Sequence, residues 1–280
     1  MKKFSTWLIM LGLILVIAAC GTNEENGGSE NQEEQETAEN GGEGDNSLYD
    51  QVMEEGVLTI GTEGTYAPFT FHNEEGELTG YDVEIIREIA NRMGVEAEFE
   101  ETQWDSMFAG LNAERFDLIA NQVGINEDRL ENYDFSNPYT YSSAVVVVPK
   151  NNEDIQSFED LEGKRSAQSL TSNYGAIAKE NGAEIIQVEG LAQSIELIKQ
   201  GRADVTVNDK LAVLDYIKQQ GDANIEIAAE EEEASESAFA FNKGNEELVE
   251  AVNEQLEAMR EDGTLEEISK EWFGEDVSSQ

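Results

Sequence analysis

Two rhythms of apolar residues alternate along most of this chain. Val57-Leu58-Thr59-Ile60-Gly61 is a short apolar run closed by glycine, which predicts a buried strand. From Tyr81 to Met93 the apolar positions Val83, Ile86, Ile89, Ala90 and Met93 recur at helical spacing, and Gly94 supplies a C-terminal stop. Val95–Phe99 reads as a second strand, Asp105 is placed to cap a helix running through Ala113, and Phe116–Ala120 reads as a third strand. Strand, helix, strand, helix, strand with short connections implies parallel βαβ units. Val145–Val148, closed by Pro149, is one unbroken apolar run and reads as a crossing into a second unit. There the alternation starts again, with helices near 172–180, 192–200 and 211–219 preceding strands at 184–188, 204–207 and 225–228. Ala238–Phe241 reads as the return crossing, and helices at 245–261 and 265–272 follow it.

Two of these strands echo each other. Arg115-Phe116-Asp117-Leu118-Ile119-Ala120-Asn121-Gln122 matches Arg202-Ala203-Asp204-Val205-Thr206-Val207-Asn208-Asp209. Each copy follows a short helix and sets Asn plus Gln or Asp just beyond a parallel strand. Ligands of open α/β sheets sit beyond the carboxyl ends of strands, so two facing units would bring Asn121, Gln122 and Asp209 to one cleft. Chance recurrence of such runs in α/β proteins is the competing reading.

The first residues follow another pattern. Lys2 and Lys3 precede an apolar segment from Trp7 to Ile17, too short to span a bilayer stably, and Ile17-Ala18-Ala19-Cys20 closes it. Small residues ending in Cys resemble a bacterial lipobox. That predicts a lipoprotein signal peptide over 1–19 and a Cys20 whose acyl chains anchor the protein to the cell membrane. An ordinary signal peptide with an incidental Cys is the alternative. Cys20 is the only cysteine, so no internal disulfide can form. Asn23 to Asn46 holds nine Glu/Asp, no Lys or Arg and no large apolar residue, which predicts a disordered acidic tether over 20–47. The folded part then starts near Ser47–Leu48, and its length of about 230 residues suits two lobes better than one core.

Charge narrows the partners. Without residues 1–19 the chain carries 61 acids against 15 bases, a formal charge of −46. Nucleic acid and anionic lipid headgroups both need clustered Lys and Arg, so neither is expected as a partner. His72 is the only histidine and lies in a polar turn, expected exposed and inert; no Ser–His or Cys–His pair can be assembled. There is no GxGxxG and no Walker-type loop. The run Glu230–Glu233 reads as a solvated loop rather than a metal site. No catalytic residue, cofactor or metal is expected, and the protein does not read as an enzyme.

Longer motifs resemble a known family. Thr65-Tyr66-Ala67-Pro68-Phe69, Gly80-Tyr81-Asp82-Val83-Glu84, Phe116-Asp117-Leu118-Ile119-Ala120, Arg129, Asp134-Phe135-Ser136-Asn137-Pro138-Tyr139, Met259-Arg260-Glu261-Asp262-Gly263-Thr264 and Trp272-Phe273 occur in order over residues 48–275. Together they resemble the family 3 solute-binding proteins of amino-acid ABC transporters. Asn121-Gln122-Val123 and Ala167-Gln168-Ser169-Leu170-Thr171-Ser172-Asn173-Tyr174 most resemble its cystine-binding members. The resemblance implies a type II periplasmic-binding fold, an α/β fold of two lobes joined by a two-strand hinge. Lobe 1 would comprise 48–143 and 238–280, and lobe 2 would comprise 144–237, closing around a ligand as a monomer.

Residue roles follow from the same resemblance. Arg129 matches the arginine that grips the ligand α-carboxylate, Asp209 the acid that binds the α-ammonium, and Thr171 the residue that meets the carboxylate at a helix start, with Ser172 beside it. Tyr66 matches the aromatic lying against the ligand side chain, and Trp104 falls at a second apolar wall. Asn121 and Gln122 match strand-end residues lining the pocket. Gly124 departs from the family's usual Ser or Thr, which removes one hydroxyl from the expected ligand shell. Plainer readings stand beside these: a surface ion pair for Arg129, helix caps for Asp209 and Thr171, core packing for Tyr66 and Trp104. Beyond Arg129 and Asp209 the implied pocket holds no further charge. The function implied is an extracytoplasmic, lipid-anchored receptor delivering a polar L-amino acid, L-cystine above all, to an ABC permease. The rivals are a receptor for glutamine or another polar amino acid, a sensory domain, and a prephenate or arogenate dehydratase-like enzyme on the same fold.

Overall fold

Two sheets organise the computed structural model, which describes residues 47–221 and 224–280. The signal-peptide, Cys20 and tether readings fall on residues outside those described, Ser47 excepted. The first sheet has the order β5-β1-β6-β14-β7, from β1 (Val57–Thr62), β5 (Glu96–Glu101), β6 (Leu118–Gly124), β7 (Tyr133–Phe135) and β14 (Ser235–Asn242). β8 (Thr140–Ser142) also pairs with β14. β1 lies parallel to β5 and β6, while β14 runs antiparallel to β6. A three-stranded ribbon of β2 (Thr65–Tyr66), β3 (Thr70–His72) and β4 (Leu78–Thr79) follows β1. Helices α1 (Leu48–Glu55), α2 (Tyr81–Met93), α3 (Trp104–Asn112), α4 (Glu127–Asn132), α8 (Glu246–Glu261) and α9 (Thr264–Phe273) belong to this lobe.

The second lobe is built on β9 (Ala144–Pro149), flanked antiparallel by β12 (Thr206–Asp209) and β13 (Ile225–Glu230). β10 (Arg165–Gln168) pairs in parallel with β11 (Glu184–Gln187), and a parallel bridge from Ser166 to Val205 joins that pair to the β12 side. Helices α5 (Asn173–Glu180), α6 (Leu191–Lys199) and α7 (Lys210–Gln220) alternate with these strands.

The helical spacing in α2 works as expected. Val83, Ile85, Ile86, Ile89 and Ala90 are buried, and Gly94 ends the helix at φ 80°. Each large aliphatic side chain buried this way contributes roughly 1.5–3 kcal/mol relative to exposure. The unbroken run in β9 has an equally direct cause. Val145 and Val147 face one core while Ala144, Val146 and Val148 face another, so the strand is apolar on both sides.

Three sequence expectations need correction. The third strand begins at Leu118 rather than Phe116 and runs through Gly124, so Asn121 and Gln122 lie within its last turns of pleat. The carboxylate of Asp117 explains the late start, accepting from Thr59 N at 2.7 Å and Thr59 Oγ1 at 2.8 Å just before the ladder begins. Second, neither apolar crossing strand spans the lobes: β9 pairs only in the second sheet and β14 only in the first. The chain passes between them at Ser143 and over residues 231–234. These two passages lie together, with Glu231 N donating to Ala144 O at 2.9 Å and Ser235 Oγ to Ser142 O at 2.9 Å. Third, Asp105 caps nothing. The N-cap of α3 is Gln103, without a side-chain bond, and Asp105 sits inside the first turn. His72 is exposed as expected; its Nε2 lies 3.2 Å from Glu101 Oε1 and its Nδ1 3.2 Å from Gly64 O, tying the ribbon to the edge of the first sheet.

Candidate functional site

The echoed segments use their aspartates in the same way. Asp117 fastens the start of β1, and Asp204 fastens the start of β10 by accepting from Arg165 N at 2.9 Å and Arg165 Nε at 3.0 Å. Each aspartate fixes a central strand against its parallel neighbour. Each strand then delivers its C-terminal residues to one cavity between the lobes. Glu63, Thr65, Tyr66, Trp104, Asn121 and Gln122 line it from the first lobe. Gln168, Ser169, Ser172, Asn173, Tyr174 and Asn208 face them from the second.

Of the expected site residues, Tyr66, Trp104, Asn121, Gln122 and Ser172 stand in this wall, and Gly124, Arg129, Thr171 and Asp209 stand behind it. Tyr66 donates its hydroxyl to Asn208 Oδ1 at 2.9 Å, across the cavity. Trp104 stands both in the wall and in a core with Met107, Leu111 and Phe116. Its indole N–H is buried with no hydrogen-bond partner among the described residues. Ser172, not Thr171, caps α5, accepting from Gly175 N at 3.0 Å.

Gln122 is held in an unusual backbone state, with φ 49° inside a strand. Buried Asp82 holds it there, accepting from Gln122 N and Gln122 Nε2 at 2.7 Å each and from Tyr139 Oη at 2.9 Å. Burial pushes the Asp82 carboxyl up to about 7.

Arg129 is 8% exposed. Its guanidinium donates to Gly124 O at 2.8 Å and Thr171 O at 3.2 Å, and lies 5.3 Å from the Trp104 ring centroid and 5.2 Å from that of Phe108. No carboxylate pairs with it among the described residues, so the surface ion pair does not form. Burial draws its pKa down to about 10. Such a fork, desolvated and short of an anion, suits a carboxylate. Gly124 contributes its carbonyl to Arg129, and a Cβ there would stand 3.3 Å from Asn173 Nδ2. The space of the family's usual hydroxyl is therefore approached by the Asn173 amide.

Asp209 caps α7 through Oδ1, which accepts from Leu211 N at 2.8 Å and Ala212 N at 3.2 Å. Its Oδ2 accepts from Tyr174 Oη at 3.1 Å. Burial raises its pKa, and no cation pairs with it among the described residues. The cap accounts for one oxygen and leaves the other toward the pocket residue Tyr174.

Sequence reasoning missed several wall residues, Glu63 and Asn208 among them. Glu63 and Glu189 both line the pocket, contrary to the expectation of no charge beyond Arg129 and Asp209, and Glu63 is the more buried of the two. It accepts from Asn121 Nδ2 at 2.7 Å while its backbone N–H donates to Asn121 Oδ1 at 2.8 Å, and burial pushes its carboxyl up to about 7. One Glu among so many acids carries no local signal. Asn208 did carry one: it occupies the place of Asn121 in the echo.

Known proteins resemble the whole arrangement. The model for bacterial extracellular solute-binding proteins, family 3, matches residues 58–275. The L-cystine-binding protein TcyA of Bacillus subtilis (strain 168) is 52% identical over 279 residues, covering 99% of this chain and 100% of that protein. Among solved structures, the L-cystine solute receptor of Neisseria gonorrhoeae in the unliganded open conformation is 49% identical, with 84% of this chain and 100% of the other covered, at a TM-score of 0.57. An ancestral arginine-binding protein bound to arginine is only 35% identical, with 78% and 98% covered, yet reaches a TM-score of 0.74. The better overlay goes to the less similar sequence, as expected if the angle between lobes here differs from the open one. Two α/β lobes, a cavity between them and this match make the fold the expected type II periplasmic-binding fold. The chain belongs to the bacterial extracellular solute-binding proteins, family 3.

Proposed function

We propose that this protein captures L-cystine outside the cytoplasm and hands it to an ABC permease that imports it. One observation carries the reading: a buried guanidinium and a buried carboxylate, Arg129 and Asp209, each without an ionic partner among the described residues, stand behind one cavity. An α-amino acid zwitterion supplies the missing charge at both ends. Glu63 extends the argument to the far end of the ligand. L-cystine carries a second ammonium and a second carboxylate, and Glu63 with the amides of Asn173 and Gln168 offers partners for them. Tyr66 and Trp104 supply aromatic faces for the disulfide sulfurs, contacts worth about 0.3–1.5 kcal/mol each. The cystine-binding names of TcyA and of the N. gonorrhoeae receptor support the same cargo.

Glu63 also makes arginine the sharpest competitor, because a guanidinium would satisfy the same carboxylate. The test is a melting-temperature panel of the common amino acids and L-cystine under non-reducing conditions. Ligand at about 100 times its Kd stabilises by about 2.7 kcal/mol, or some 5–10 °C for a domain of this size. L-cystine is expected to give the largest shift. A larger shift with arginine or glutamine would move the cargo and leave the zwitterion clamp in place, while turnover of any ligand would argue for an enzyme.

We further infer that Cys20 carries the lipid anchor, from the order of basic residues, apolar run, Ile17-Ala18-Ala19-Cys20 and acidic segment. Cys20→Ser protein is expected in the soluble fraction after cell fractionation. Its retention in the membrane with the signal removed would refute the lipoprotein reading.

A further inference from the structure

We infer that Asp105 is a closing latch, a positioning residue that holds the two lobes together without touching the cargo. Asp105 stands in the first turn of α3, on the first lobe, one residue after the wall residue Trp104. Its carboxylate reaches across to the second lobe. Oδ1 accepts from Thr171 N at 3.1 Å and Thr171 Oγ1 at 3.0 Å, and Oδ2 lies 3.4 Å from Leu170 N and 3.3 Å from Gln187 Nε2. Four donors from three residues, all on the far side of the cleft, converge on one side chain. No donor from its own lobe competes for it among the described residues.

Thr171 is the centre of this grip. Asp105 takes its N–H and hydroxyl, and Arg129, also from the first lobe, donates to its carbonyl at 3.2 Å. All three polar atoms of one residue are thus held from the opposite lobe, by an acid at one end and a base at the other. The two holders differ in kind. Neither lines the cavity; Arg129 is the cation a ligand anion would share, whereas Asp105 has the wrong charge to bind one. Both oxygens of Asp105 already meet donors of the second lobe, so its contribution to closure is expected to hold whatever fills the pocket.

The consequence is a division of labour, and it rests on the reading of this protein as a receptor that closes. Cargo and Arg129 give closure its selectivity, and Asp105 adds a constant bias toward the closed form that slows release. A bias of this kind shifts the open–closed balance equally for every ligand. Carboxylate hydrogen bonds contribute more than neutral ones, and this group is partly exposed, so the expected effect is about a tenfold change in the closed population.

Two readouts on wild type, Asp105→Asn and Asp105→Ala test the latch. The first is the compactness of cargo-free protein, from small-angle scattering or from dyes placed on the two lobes. Asp105→Ala is expected to be more open than wild type, and Asp105→Asn, which keeps one acceptor oxygen, to fall between them. The second is dissociation of L-cystine, expected about tenfold faster in Asp105→Ala. Unchanged compactness with unchanged dissociation would overturn the proposal. So would a lowered melting temperature without any opening, since that is what a purely local role of Asp105 in α3 predicts. If L-cystine proves not to be the cargo, the compactness of the cargo-free variants still decides for or against the latch.

Discussion

Arg129→Ala is expected to weaken cargo binding by a factor of hundreds to thousands, the largest effect of any single change in the site. The guanidinium is almost fully enclosed, is bonded among the described residues only to the carbonyls of Gly124 and Thr171, and lies over two aromatic rings. A ligand carboxylate entering here meets a cation already stripped of water. Removing one partner of such a buried pair costs about 3–5 kcal/mol, which converts to that range of affinity. Arg129→Lys keeps the charge but loses the planar fork, so it should recover only a small part of the binding. Folding should respond differently from binding. An unpaired buried charge destabilises the cargo-free protein, so its removal offsets some of the packing lost over Trp104 and Phe108. The cargo-free variant is therefore expected to melt within a few degrees of wild type. Calorimetric titration and a melt of each variant measure both quantities. An affinity within about threefold of wild type, less than 1 kcal/mol, would take Arg129 out of the site.

What the sequence made legible was whatever rests on local periodicity or on repetition. α2 was readable because its apolar positions fall on one face and Gly94 stops it; β9 was readable because a strand buried on both sides cannot hide its run of valines. The echo was readable too, and its cause is mechanical: Asp117 and Asp204 do the same fastening in two lobes. Even Asn208, passed over at first, was marked by its alignment with Asn121. Asp105 had no such marker. An Asp beside a helix start reads as a cap, but the donors that claim it lie 65, 66 and 82 residues away on another lobe. Glu63 was illegible for a related reason, since its burial comes from the fold of the loop after β1 and from its bond to Asn121, not from its neighbours in the chain. Long-range closure, rather than secondary structure, is where sequence patterning ended.

Asp82 makes the stability of this protein fall as pH rises from about 4 to about 7. Its carboxyl is fully enclosed, and burial pushes it from 3.8 up to about 7 despite three hydrogen bonds that favour the charged form. In the unfolded chain it titrates near its ordinary value. Between the two values the native state holds a proton that the unfolded state has lost, so deprotonation favours unfolding. The slope from one such group reaches about 1.4 kcal/mol per pH unit at most, and it vanishes above the native value because both states are then ionised. Glu63, pushed from 4.5 up to about 7 by burial, adds a slope of the same sign, and Asp209, raised by burial as well, acts in the same direction. Repulsion among 61 acids also weakens the fold as they ionise, so the wild-type curve alone cannot isolate these groups. Substitution does isolate them. Asp82→Asn removes one titration and is expected to flatten the curve between pH 4.5 and 7 by up to one proton's worth, although it lowers stability overall by misplacing an amide among donors. Glu63→Gln should flatten it further. Denaturant melts of wild type and both variants at half-unit intervals of pH supply the slopes. An Asp82→Asn curve parallel to wild type throughout would mean that Asp82 is already ionised in the native state at pH 4.5, held so by Gln122 and Tyr139. Cargo supplies a second arm for Glu63. A ligand ammonium beside it would draw its pKa down, so L-cystine binding near pH 7 should release protons in wild type, and Glu63→Gln should lessen that release, leaving the share of Asp209. Binding enthalpies in buffers of different ionisation heat measure it directly, and an equal release in wild type and Glu63→Gln would place the ammonium elsewhere.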